Sequence, residues 1–213
     1  MKTKHIDKAD RNRQVTQTCP YCQTRAVFLV AGSDIKIAEG FYSGQRVCPN
    51  CKGHVFVIFN WDNLFRSYPP FLIDFDSSDI PTQISSAFSE ALLCHSHKCY
   101  VAAAIMIRRT LEEICDDRTA TGKDLKARIG SLRDKVTLPE ELFLAMDELR
   151  LLGNDAAHIE SKSYTDIGDT ELEAAIAFTK EILKSVYQYK GLLDKLRSLK
   201  KANTTEQRAT ANP

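Results

Sequence analysis

Several things are missing from this 213-residue chain, and each absence narrows what it can be. No run approaches the ~20 consecutive apolar residues of a membrane span, and the first residues carry charges where a secretory leader would have its apolar core. The expectation is therefore a cytoplasmic protein with no membrane partner. Net charge is also scarce, at +1. Its seven cysteines are an odd number, with four of them in paired CxxC spacing, which disfavours a disulfide framework and favours reduced thiols holding a metal. At this length the chain has room for one medium domain plus a small module, or for two small domains, and for a real buried core.

The small net charge hides an uneven distribution. Residues 1–18 sum to +3 and residues 195–213 to +4, leaving the middle at −6. A mildly acidic body with two basic ends suits contact with RNA, DNA or an acidic partner through the ends. Residues 1–18 have no apolar period and read as a flexible basic arm.

Order is expected from Cys19. Cys19-Pro-Tyr-Cys22, a 25-residue spacer and Cys48-Pro-Asn-Cys51 make the two-knuckle arrangement of a zinc ribbon over residues 19–61. Four thiolates complete a tetrahedral Zn²⁺ and leave no position for water, so the role read here is structural. VFLV at 27–30, FYSGQRV at 41–47 and HVFVIFNW at 54–61 read as strands, with Gly32, Gly40 and Gly44 as turn residues. A redox CxxC is the competing reading, but it would need one pair inside a βαβ unit. The ribbon has no concentrated basic helix, which weighs against sequence-specific DNA reading.

Residues 62–81, with Tyr68-Pro69-Pro70 and Asp79-Ile80-Pro81, read as a linker. Helical periods follow over residues 82–200. Ile84, Ala87, Phe88, Ala91 and Leu92 mark one helix, and Tyr100, Ala104, Ile107, Leu111 and Ile114 a second. The CHSHKC run at 94–99 has the look of a metal cluster but falls at the turn of this hairpin. Cys94 and Cys99 flank helices there, and such cysteines are usually buried hydrophobes. Arg108 and Arg109 have Glu112 and Glu113 as i+4 partners. A short helix carries Leu125, Ile129 and Leu132.

Thr137-Leu138-Pro139-Glu140 then reads as a capping box with proline in the first turn. Leu142, Ala145, Met146, Leu149, Leu152 and Ala156 supply the buried face of the helix it opens. Gly153 inside that helix costs about 1 kcal/mol relative to Ala and so calls for a close backbone approach. Arg150, Asn154 and His158 recur every fourth residue and share one stripe. Thr170-x-x-Glu173 reads as the cap of a last helix striped by Leu172, Ile176, Ile182, Val186, Tyr189, Leu193 and Leu196, and residues 201–213 read as a disordered tail.

The order of knuckles, AAAIMIRRTLEEI, an L-x3-I helix and LRLLGNDAAH resembles the bacterial family of unknown function DUF4145, which looks like a branch of the HEPN superfamily. The likeness covers roughly residues 19–190. It implies a mainly α fold, an antiparallel HEPN-like helical bundle preceded by a small β zinc ribbon, forming a homodimer along its last long helices. In active members of the superfamily an arginine–polar–histidine motif at the dimer cleft cuts RNA without metal, often in phage defence or toxin systems. Carried over, His158 would be the general base on a ribose 2′-OH, Asn154 would orient His158 or the ribose, and Arg150, with Arg108 as accessory, would stabilise the phosphorane. Here the pattern departs, because Gly153 stands where that motif has arginine and Arg150 lies one turn earlier, eight residues or about 12 Å from His158. The alternative is a non-catalytic protein-interaction module, serving a partner such as a defence protein, in which the GNxAAH face packs helices or a dimer.

Overall fold

The computed structural model describes residues 13–60, 63–158 and 167–209, and divides into two compact units, residues 1–73 and 74–213. In the first unit, β1 (Val15–Thr18), β2 (Arg25–Ala38), β3 (Phe41–Val47), β4 (His54–Phe59) and β5 (Leu64–Tyr68) form one antiparallel sheet in the order β1-β2-β3-β4-β5. Alternation dictates the two faces. Along β4, Val55, Val57 and Phe59 are buried while His54 and Phe56 are exposed, which is the period-2 signature of a half-buried strand. The inward side chains join Val15, Cys19, Phe28 and Cys48 in a single core cluster. Gly32, at φ 91°, lies where the β2–β3 register shifts between Ala31 and Ile35, and Gly40, at φ 73°, sits in the two-residue turn linking those strands.

This sheet corrects the expected fold class. A mainly α protein with a small ribbon was anticipated, whereas the N-terminal part is a five-stranded β unit with its own core. Two strands outside the expected ribbon account for the difference. Val15–Thr18, read as part of the basic arm, pairs with β2, and Leu64–Tyr68, read as linker, pairs with β4. Pro69 and Pro70 follow β5 directly and end its pairing potential, because proline has no N–H to donate. The rest of the arm, residues 1–12, lies outside the described residues.

A deeply buried ion pair fixes one end of the sheet. Asp34 on β2 and Arg46 on β3 are both 0% exposed and meet twice, at 2.7 and 2.9 Å. The Arg46 Nε donates to the Arg13 carbonyl at 2.9 Å, an Nη donates to the Gln45 carbonyl at 2.9 Å, and the Arg13 N–H donates to Asp34 at 3.1 Å. The guanidinium also lies 5.3 Å from the Phe59 ring centroid. Gly44 makes room for the pair, since a Cβ there would stand 2.0 Å from an Asp34 carboxylate oxygen.

The second unit is helical. It contains α1 (Thr82–Ser96), α2 (Tyr100–Asp117), α3 (Leu125–Leu132), α4 (Glu140–Ala157) and α5 (Asp169–Leu183), with α5 running through a π-helical stretch (Lys184–Gln188) into α6 (Tyr189–Ala209). α2 is central and packs against α1, α3, α4 and α5. Its buried residues are Ala103, Ala104, Ile107, Thr110, Leu111, Ile114 and Cys115. The expected stripes of α1 and α3 are buried as read.

Three local expectations are corrected. The Thr137 capping box does not form: Pro139 is the N-cap, no side chain caps the helix, and Glu140 instead pairs with Arg133. The last helix begins at Asp169, where the Gly168 N–H donates to Glu171 at 3.0 Å, so Glu171 plays the part given to Glu173. The expected apolar stripe also loses phase. A π turn accommodates about one extra residue, and it buries Tyr187 and Gln188, leaving Tyr189, Leu193 and Leu196 exposed. Tyr187 donates to Asp117 at 2.9 Å, and Gln188 donates to the carbonyls of Asp76 and Ser78 at 2.9 and 3.0 Å. α6 runs to Ala209, through most of the segment read as a disordered tail, and residues 210–213 lie outside the described residues.

Candidate metal centre

The four knuckle cysteines come together in the first unit. Their sulfurs all lie within 4.8 Å of one another, with Cys19 to Cys51 at 3.6 Å and Cys22 to Cys48 at 3.8 Å. Four sulfurs at about 2.3 Å from a tetrahedral Zn²⁺ stand about 3.8 Å apart, so the cluster has the size of a filled thiolate site.

The two knuckles repeat one backbone design. Gln23 N–H donates to the Cys19 carbonyl at 3.0 Å, and Lys52 N–H to the Cys48 carbonyl at 3.1 Å. Both residues take a left-handed φ, 58° and 62°, which turns each loop tightly enough to bring its two thiols to one point. Amide donors then aim at sulfur, from Tyr21 N–H to Cys19 and from Gly53 N–H to Cys51, each at 3.4 Å. The Tyr21 ring covers Gly53, where a Cβ would stand 2.3 Å from the ring, and its hydroxyl donates to the His54 carbonyl at 2.8 Å.

The thiols are electrostatically unequal. Hydrogen bonds from the Thr24 backbone and hydroxyl and from Asn50 draw Cys22 down to about 5. At Cys51 the Gly53 N–H favours the thiolate, but desolvation and the other three sulfurs outweigh it and push the group up to about 12. Crowded thiols resist shared ionisation, and a divalent cation removes that conflict by neutralising them together. The four cysteines can therefore hold a metal.

The residues expected to serve RNA lie on the second unit. Arg150 is largely buried, and its Nε donates to Asp147 at 2.7 Å. Asn154 is partly buried, and its carbonyl accepts the His158 N–H at 3.0 Å. The helix ends at Ala157, so His158 is an exposed, extended residue (φ −129°, ψ 118°) rather than part of a continuous helical stripe. Arg108 is engaged twice, pairing with Glu112 at 3.2 Å and donating to the Arg150 carbonyl at 3.3 Å. Gly153 explains itself. A Cβ there would stand 2.5 Å from the Arg108 Cβ and 3.1 Å from the Ala104 carbonyl, so α2 and α4 touch backbone to backbone at this point.

Sequence reading missed two features. His95 at the end of α1 contacts Asp169 at 3.0 Å, with Glu173 close by. An apolar groove of about 550 Å³ lies between α4 and α5, lined by Leu144, Leu149, Leu152 and Phe178 with Glu141 and Glu148 among its polar walls. Leu144 and Phe178 were the available signals, as bulky residues outside the counted stripes. Among the described residues no helix is long and apolar enough to cross a membrane.

No curated protein and no solved structure matches the chain. One family model does, described as Domain of unknown function (DUF4145), over residues 89–203, which is more than half of the sequence and begins beyond the cysteine site. Within that match fall the RRTLE segment on α2, the GNxAAH segment that ends α4, and most of the π-interrupted last helix. The chain therefore belongs to the DUF4145 family.

Proposed function

We propose that the chain is a non-catalytic interaction protein, in which a β unit clamped by structural zinc is joined to a HEPN-like helical unit. The observation that carries this reading is the use of the RxxxN segment inside the fold. The Arg150 side chain pairs with Asp147 along α4, its carbonyl accepts from Arg108, and Gly153 lies against Arg108, so Arg108 serves the α2–α4 contact and Arg150 is engaged on its own helix. General acid–base cleavage needs its groups within hydrogen-bond reach of one phosphodiester, and the exposed His158 lies beyond the end of the helix that carries Arg150. Four thiolates support zinc as a folding element rather than a reactive one.

Incubating RNA with the protein in EDTA, as wild type and as His158→Ala, tests the reading. Identical RNA profiles are expected. Cleavage by the wild type that His158→Ala abolishes would restore the nuclease reading, with His158 as its base.

A homodimer belongs to the same proposal. Leu192, Leu193, Leu196 and Leu199 are all exposed on α6, flanked by Lys190, Lys195 and Arg197, a surface suited to a second copy whose α4–α5 groove is apolar and glutamate-rimmed.

A further inference from the structure

The outer face of the five-stranded sheet has a composition that the metal centre does not explain. Pairing places Ala31, Gln45, Phe56 and Tyr68 side by side across four strands, and Leu29, Val47 and His54 in the next row. Phe56 is 46% exposed, Tyr68 44% and Leu29 49%, with Phe56 between the buried Val55 and Val57 and Leu29 beside the buried Phe28. An interior sheet face would bury such residues, and a face meant only for water would not spend aromatics on it.

Charge identifies what the face suits. Residues 1–73 hold ten Lys and Arg against five Asp and Glu, a net +5, while residues 74–213 sum to −4. Among the described residues, no Asp or Glu stands at a position that the strand register places on this outer face, whereas Arg25 beside Thr18 and Arg66 beside Ile58 do. Flat rings with Arg66 one step along the same strand, Arg25 at the far end of β2 and no carboxylate on the face complement a polymer that alternates planar bases with phosphates. An acidic protein segment would answer the arginines alone and an apolar one the rings alone, whereas a polymer of bases and phosphates answers both.

We infer that the outer face of β1–β5 binds single-stranded RNA, stacking bases on Phe56 and Tyr68 while Arg25 and Arg66 meet the backbone. Stacking on exposed aromatic residues tolerates any base, because every base has a π face. Exposed Gln45 and His54, in register with the platform, bring donors and acceptors to the ribose 2′-OH, the group that separates RNA from DNA. The proposal names the partner class of the non-catalytic reading above and stands apart from the helical residues on which that reading rests.

The test is fluorescence anisotropy of a labelled oligouridine of about 20 nucleotides with the full-length, zinc-loaded protein at about 0.1 M salt. Phe56→Leu keeps an apolar strand residue but removes the ring, and should weaken binding about 5- to 150-fold, whereas Phe56→Tyr should bind like wild type. Arg66→Gln should weaken binding and make it less sensitive to salt. Leu144→Ala, on the helical unit, should leave binding unchanged. The inference is overturned by no binding of oligouridine, by equal binding of Phe56→Leu, or by equal or tighter binding of the matching DNA strand. It is also overturned if Phe56→Leu changes the oligomeric state in place of RNA affinity, since the face is then a protein contact. Loss of the labelled strand by cleavage would refute the non-catalytic reading and leave this one intact, because binding is read with the His158→Ala protein as well.

Discussion

Removing Asp34 should destabilise the β unit more than losing any single apolar contact. Asp34→Ala strips two charge-assisted bonds from the Arg46 guanidinium and one from the Arg13 N–H, while the guanidinium stays walled in at 0% exposure. Each such bond is worth about 1.5–3 kcal/mol, and breaking one side of a buried pair costs about 3–5 kcal/mol because the remaining charge has no counterpart. A unit of this size has about 4–11 kcal/mol of stability in all, so most of it would go. Urea unfolding of the metal-saturated protein, followed by far-ultraviolet circular dichroism, measures the change, with a melting point lowered by about 15–30 °C. Replacing both partners, as Asp34→Leu with Arg46→Met, should cost far less than the two single changes together, because no charge is then stranded. An Asp34→Ala protein within about 1 kcal/mol of wild type would refute the argument, as would a double variant whose cost equals the sum.

Three other outcomes are expected. Cys22→Ser or Cys48→Ser should lower bound zinc from about one per chain, measured by atomic emission, and a strong chelator should unfold the β unit while the helical signal persists. Gly153→Ala should destabilise the helical unit by about 1–3 kcal/mol in thermal unfolding, since the clash with Arg108 and Ala104 outweighs the helix propensity gained; a stabilised protein would show that α2 and α4 can separate freely. Burial pushes the Cys115 thiol up to about 11, so the folded state keeps a proton that the unfolded chain loses from about pH 9. The unfolded state then binds fewer protons and stability falls between about pH 9 and 11, by at most about 3 kcal/mol; Cys115→Val should flatten that part of the stability profile, and an unchanged slope would sink the assignment.

What could be read from the sequence was what depends on local spacing. The CxxC pairs announced a four-sulfur cluster because a knuckle is built within five residues, from Cys19 to Gln23 and again from Cys48 to Lys52. Helical stripes on α1 and α3 were legible for the same reason, and Gly153 was correctly expected to mark a close approach. β1 and β5 were not legible, since a strand of four or five residues at the edge of a sheet is defined by its partner and carries little pattern of its own. Asp34 and Arg46 meet only because β2 folds back on β3 across a register shift, and no periodicity in the chain connects them. The phase slip after Leu183 was equally hidden: the leucines beyond it continue a 3.5-residue rhythm, and only the backbone reveals that the rhythm has changed sides. For the residues expected to serve RNA cleavage, spacing located Arg150 and Asn154 but neither the pairing of the Arg150 side chain with Asp147 nor the end of α4 at Ala157, where the Asn154 backbone carbonyl accepts the His158 N–H.

That change of sides has a consequence for how the protein can be altered. Every residue from Tyr189 to Lys200 is exposed, whereas Tyr187 and Gln188, just before them, are tied into the helical unit. α6 is thus anchored at its first turns, by Tyr187 and Gln188 just before it and by Gly191 against Asp79, and its described side chains up to Lys200 lie at the surface. Selection can lengthen it, shorten it or recode its surface without touching the core, so the fold and whatever the helix engages are free to evolve on separate schedules.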